Sequence, residues 1–142
     1  MATIDVAVST DLAPEHAWKL ASDLGRFDEW LTIFGGWRSD VPPVIETGTC
    51  VSSCIKVKGF RNVIHWRVTR YDKPEVIELS GHGRGGVRIA LAIAVQQSPP
   101  GARFHVGAML TGGLLSTGVG KIVAHVLQSE VRKSVSNLAA LR

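Results

Sequence analysis

Five histidines, two cysteines and two glycine-rich runs are the residues through which this chain could do chemistry. Histidine comes first, because imidazole is the side chain that titrates near neutrality without help from its surroundings. His65 lies between Ile64 and Trp66, and His105 between Phe104 and Val106. In alternating strands both therefore point away from the apolar side. His16 falls on the exposed face of a short helix, His82 in a glycine-rich turn, and His125 beside an apolar helical stripe. Spacing assembles no Ser/His/Asp or Cys/His set, so no catalytic residue is assigned. Cys50 and Cys54 lie four apart in a strand-like run, which separates their Cα atoms by about 13 Å against a disulfide limit of about 7 Å. No histidine stands at metal-ligand spacing beside them, and no metal site is expected.

The run Gly81-His82-Gly83-Arg84-Gly85-Gly86 satisfies G-x-G-x-x-G. Dinucleotide binding also requires a helix to follow, so that its N-terminus faces the pyrophosphate. Val87 to Val95 instead alternates at period two, which predicts a hairpin or bulge. The second run, Gly112 to Lys121, has Leu115 where a phosphate loop needs its first glycine and Ile122 where it needs Ser or Thr. These glycines are read as a turn from strand to helix, or as an opening into a cavity. No cofactor is therefore expected.

The elements that must position these residues follow from periodicity. Ile4, Val6 and Val8 alternate with polar or small residues, which predicts a first strand ending at Thr10-Asp11. That pair and Pro14 open a short helix with Ala13, Ala17, Trp18, Leu20 and Ala21 on its apolar stripe. Ser22-Asp23 caps a second short helix through Phe27, Trp30, Leu31 and Phe34, stopped by Gly35-Gly36. Trp37 begins an extended stretch that runs into the edge or loop residues Pro42-Pro43. Strand runs follow at Val51 to Val57, before a turn at Gly59, then at Ile64 to Val68, Ile77 to Leu79, Val87 to Val95 and Phe104 to Ala108. From about Leu115 to Leu141 the apolar period becomes helical, through Val119, Ile122, Val123, Val126, Leu127, Val131, Val135 and Leu138. Such a helix is roughly 40 Å long. The fold class predicted is α+β, with a curved antiparallel sheet wrapped around a long C-terminal helix and two short helices.

Composition narrows the function classes. A chain of 142 residues with 45% hydrophobic and 20% charged residues forms one ordinary domain, residues 1–142, able to bury its own core. The N-terminus carries Asp5 and Asp11 where a signal peptide needs a basic start and an apolar core. The longest apolar run, Ile89 to Val95, is far short of the roughly 20 residues of a membrane-spanning helix. A soluble, cytoplasmic protein is expected. The formal charge of +4 favours anionic partners. The basic residues are nevertheless scattered through Lys56, Lys58, Arg61, Arg67, Arg70, Lys73, Arg84 and Arg88, without interleaved aromatics, which disfavours nucleic acid. Ala90, Ala92 and Ala94 make the outward face of one strand smooth enough for an oligomer or partner surface, or for a covering loop.

The element order, the segment AWKLASDLGRFDEWL from Ala17 to Leu31, and the later HWRV and GHGRGGV runs resemble the START/Bet v1-like (SRPBCC) superfamily. The resemblance includes its polyketide cyclase/dehydrase group and small actinobacterial members, among them proposed toxins of toxin–antitoxin pairs. It implies a helix-grip fold in which the sheet holds the C-terminal helix and the short helices close one end of a cavity. In that alignment Trp30 matches the aromatic near the end of the second helix, Trp37 the aromatic opening the second strand, and Trp66 the aromatic of the strand after Gly59. The polar sets that cyclases of the superfamily place in the cavity have no counterpart that maps onto this chain.

The apolar faces and this resemblance together nominate a ligand-lining set: Trp30, Phe34, Trp37, Ile64, Trp66, Leu79, Ile89, Leu91, Phe104, Val106, Ile122 and Val126. The function expected is binding of a hydrophobic small molecule such as a lipid, fatty acid, isoprenoid or polyketide-like compound. The alternatives are a polyketide cyclase or aromatase and a toxin neutralised by a small protein partner.

Overall fold

A computed structural model describes residues 2–57, 60–113 and 120–141. The strands are β1 (Ala2–Thr10), β2 (Phe34–Trp37), β3 (Cys50–Val57), β4 (Phe60–Asp72), β5 (Val76–His82), β6 (Arg88–Ser98) and β7 (Gly101–Thr111). They form one antiparallel sheet in the order β1-β7-β6-β5-β4-β3-β2. Two helices, α1 (Pro14–Ser22) and α2 (Gly120–Ala140), and two 3-10 turns (Leu24–Glu29 and Arg84–Gly86) complete the described elements. The sheet curves into a half-barrel with the long helix in its grip. Register shifts between Val68 and Arg70 and between Phe34 and Trp37 help it bend.

Alternation is clean where a strand is covered on one face only. Ile4, Val6, Ile77, Leu79, Ile93, Val95, Phe104 and Val106 are buried, and their neighbours Asp5, Ser80, Gln96 and Arg103 are exposed. The outward row Ala90, Ala92 and Ala94 is exposed or half-buried and lies beside the exposed Met109. The expected hairpin is present: β5 ends at His82 and β6 begins at Arg88, with Gly85 and Gly86 both at φ +78° in the turn between them. His82 is thus the last residue of a strand and not part of the turn.

Two expected boundaries differ. Asp23 does cap the second short helix, accepting from the Gly25 amide at 3.0 Å, but that helix ends at Glu29. Phe34 to Trp37 is a strand, with Phe34 opposite Ile55 and Trp37 opposite Ser53. The reason is Gly35-Gly36. A Cβ at Gly35 would lie 2.9 Å from Lys56 Cε and 3.1 Å from Cys54 Sγ, and Gly36 has φ +107°. The pair lets an edge strand approach β3 closely instead of stopping a helix. Second, the Thr10-Asp11 pair does not supply the α1 N-cap, which is Ala13. The Thr10 hydroxyl accepts from the Leu12 amide at 3.3 Å and donates to the Ala139 carbonyl at 3.1 Å, fastening the end of β1 to the last turn of α2. The described part of α2 has 21 residues, or about 32 Å. The expected helix start at Leu115, its Val119 and the turn at Gly59 lie outside the described residues.

Both cysteines are free; Cys50 is exposed and Cys54 buried on the same strand. No helix among the described residues is long and apolar enough to cross a membrane.

Candidate functional site

The two halves of α2 are held very differently. In the C-terminal half Val135 and Leu138 are fully buried, each worth roughly 1.5–3 kcal/mol of burial. Polar ties reinforce them. The Ser134 hydroxyl, 1% exposed, accepts from the Thr32 amide at 2.9 Å and donates to the Glu130 carbonyl at 2.9 Å. Asn137 Nδ2 donates to the Trp30 carbonyl at 3.3 Å. In the N-terminal half the apolar stripe continues but is not covered: Ile122 is 68% exposed, and Val123 and Val126 are half-buried. An amphipathic helix normally closes its whole apolar stripe against the core. Here Gly120 and Leu127 are buried, while Ile122, Val123 and Val126 border an open space.

The space beneath them is an open cleft of about 690 Å³. Ile122, Val123, Val126 and Leu127 form its roof, and Ile55, Val57, Ile64, Val87, Ile89 and Leu110 form its walls and floor. Glycines shape the far end. A Cβ on Gly112 would lie 2.0 Å from the Gly86 carbonyl oxygen, and one on Gly113 would lie 2.5 Å from Val87 Cγ2. The end of β7 therefore meets the β5–β6 hairpin backbone to backbone, where only glycine fits.

Among the described residues, three polar side chains reach the cleft: Arg61, Asn62 and Arg84. Asn62 is fully engaged with the hairpin. Its Nδ2 donates to the Arg84 carbonyl and its Oδ1 accepts from the Arg84 amide, both at 3.2 Å. The two arginines are exposed, leaving cationic groups beside apolar walls. No carboxylate or imidazole lines the cleft among the described residues. Its described surroundings can solvate an apolar body and attract an anionic end.

Of the twelve nominated residues, Ile64, Ile89, Ile122 and Val126 line this cleft. Leu91 follows Ile89 on the same strand face, half-buried against the core. Leu79, Phe104 and Val106 are buried core. Trp66 packs over Gly81, whose Cβ would fall 2.7 Å from its ring, and its Nε1 donates to the buried Ser53 hydroxyl at 2.9 Å. Trp30, Phe34 and Trp37 gather with Phe27 into an aromatic cluster with ring centroids 5.1 to 6.3 Å apart. Trp37 Nε1 donates to the Leu24 carbonyl at 2.9 Å, and the buried Trp30 Nε1 has no hydrogen-bond partner among the described residues. None of these four aromatics lines the cleft, although Phe34 is paired with the cleft residue Ile55. Sequence periodicity did not single out Val87, Leu110, Val123 and Leu127 as a set, because strand ends and helix turns far apart in sequence converge there. Asn62 carried no signal at all.

The histidines lie elsewhere. His65 Nδ1 is 2.8 Å from the Ser52 hydroxyl, His105 bonds Asp5, and His16 and His125 are exposed.

A family model described as polyketide cyclase/dehydrase and lipid transport matches residues 1–141. A Mycobacterium tuberculosis protein named Toxin Rv0910 is 40% identical over 141 residues, covering 99% of this chain and 98% of that one. An uncharacterized protein of the same organism, Rv1546, is 29% identical over 141 residues, 99% of each chain. Among solved structures, a START superfamily protein from Mycobacterium smegmatis superposes with TM-score 0.78 at 12% identity, covering 98% of this chain and 95% of that one.

Proposed function

Because the chain belongs to the polyketide cyclase/dehydrase and lipid transport family, we propose that it acts as a single domain, residues 1–142, binding a hydrophobic small molecule in the cleft under the first turns of α2. One observation carries this reading: the uncovered apolar stripe Ile122, Val123 and Val126 faces an equally apolar sheet wall across about 690 Å³. Pockets that hold small ligands typically span about 300–1,000 Å³ and are mostly apolar. A ligand there completes the packing that the C-terminal half of α2 already has. Ile64, Ile89, Ile122 and Val126 are the contact residues, and Arg61 and Arg84 favour an anionic end group on a lipid, fatty acid or polyketide-like chain. The protein works in the cytoplasm.

Native mass spectrometry of protein purified from its natural host tests this directly. The expected result is an apolar organic molecule bound one to one. Failure to carry a ligand and to take up acyl chains of any length would overturn the proposal.

A second reading rests on the relative named Toxin Rv0910, identical at 40% of positions over nearly the whole chain. In this reading the chain restrains growth and is held by a small protein partner. Induced expression should slow a bacterial culture, and co-expression of a short reading frame adjacent to the gene should restore it. Unchanged growth would set this reading aside and leave the binding proposal untouched.

A further inference from the structure

The opposite face of the sheet carries a second concavity, of about 630 Å³, floored by β3, β4 and β5. Its wall is the connection between β2 and β3, fixed to the sheet by backbone bonds. The Arg38 amide donates to the Ser52 carbonyl at 2.7 Å, and the Gly48 amide to the Val68 carbonyl at 2.7 Å. The Ser39 hydroxyl accepts from the Ser52 amide at 2.8 Å. That wall of the concavity is therefore tied to its floor by backbone bonds.

Register brings its polar side chains together. Ser52, His65 and His82 are direct cross-strand neighbours, and so are Cys50, Arg67 and Ser80 one pleat along. The His65 and His82 rings lie 5.3 Å apart at 39°, and His65 Nδ1 is 2.8 Å from the Ser52 hydroxyl. When that hydroxyl donates, the ring proton sits on Nε2, leaving an N–H free for a ligand. Arg67 is exposed and has no carboxylate partner among the described residues. The contrast with Arg70 on the same strand is informative, since Arg70 holds both Asp72 and Glu78. No carboxylate lines the concavity among the described residues, whereas hydroxyls, two imidazoles and one guanidinium do. Arg88, opposite His82, adds a further positive charge at its border.

We propose that this concavity binds a phosphoryl dianion, free or carried on a small organic molecule. Arg67 supplies the planar fork that matches phosphate oxygens in pairs. His65, His82 and Ser80 supply flanking donors, and the space beside them accommodates an organic remainder. The site is independent of the apolar cleft and stands or falls without it.

The test is an NMR titration following the His65 and His82 ring signals with inorganic phosphate in one arm and phenyl phosphate in the other. Saturable shifts confined to these rings are expected, with R67Q weakening binding at least tenfold and R70Q leaving it unchanged. H82A should weaken it as well. Tighter binding of phenyl phosphate assigns a phosphate monoester, and equal binding assigns the free ion. The proposal is overturned by shifts that never saturate, by equal loss in R67Q and R70Q, or by response to a single-stranded oligonucleotide alone. All three variants change exposed side chains, and an unchanged circular-dichroism melt reports that each remains folded.

Discussion

Replacing Val126 with Asp separates ligand binding from folding. Val126 is half-buried and sits on the roof of the cleft between Ile122 and the buried Leu127. In the free protein the new carboxylate keeps its water, so the fold loses only some apolar packing, about 1 kcal/mol. A chain of 142 residues should then melt roughly 3 °C lower. When an acyl chain fills the cleft, that water must leave, and the carboxylate is lined by hydrocarbon or competes with the ligand's anionic end for Arg61 and Arg84. An unpaired charge lined by hydrocarbon costs several kcal/mol; taking a cautious value of about 2.7 kcal/mol, affinity falls roughly a hundredfold. Fluorescence titration with an acyl-chain dye measures the first quantity and a circular-dichroism melt the second. V126A is the control, with a loss near tenfold or less. A V126D protein that melts normally and binds within threefold of the parent would refute the reasoning, because the roof would then make no contact with ligand.

Other perturbations address the frame around the cleft. S134A removes the acceptor of the Thr32 amide and should cost about 1.5 kcal/mol, read as a fall of about 5 °C in Tm with acyl-dye affinity retained. G112A forces a Cβ to 2.0 Å from the Gly86 carbonyl at φ +78°, so chemical denaturation should show a loss of roughly 3 kcal/mol. The paired change R61Q/R84Q should erase any preference for a fatty acid over its methyl ester in the dye-displacement assay while leaving the ester's affinity alone. The Arg26 side-chain hydrogen bond holds the Glu29 carboxyl below its ordinary value of 4.5. Because the folded value is the lower one, this pair's contribution is present above that ordinary value and fades as pH falls through the depressed one. An NMR titration of Glu29 should return to the ordinary range in R26Q.

The sheet, its polarity and the gripping helix were legible because each rests on local periodicity. Ile89, Leu91, Ile93 and Val95 mark β6 at period two, and Leu127, Val131, Val135 and Leu138 mark α2 at helical steps. The β2 strand was not, because Gly35-Gly36 reads equally as a helix stop and as close strand contact until Cys54 and Lys56 are seen beside it. The site was half legible. Ile64 and Ile89 show their inward direction by alternation, but depth along the fold does not appear in periodicity. The large aromatics Trp30, Phe34 and Trp37 attracted the ligand-lining expectation by size, and the structure gathers them on one another instead. The opening of the cleft depends on how closely the start of α2 lies against the sheet. That is set by the Thr32, Ser134 and Asn137 bonds at its other end, contacts a hundred residues apart in sequence.

The most direct measurement of the central claim is a methyl-resolved NMR titration of the Ile, Leu and Val side chains with a medium-chain fatty acid. Saturable shifts are predicted at Ile64, Ile89, Ile122, Val123 and Val126, with the fully buried Ile77 and Val68 unmoved. Shifts centred on the residues around Trp30, Phe34 and Trp37, or no saturable shift at any methyl, would contradict it.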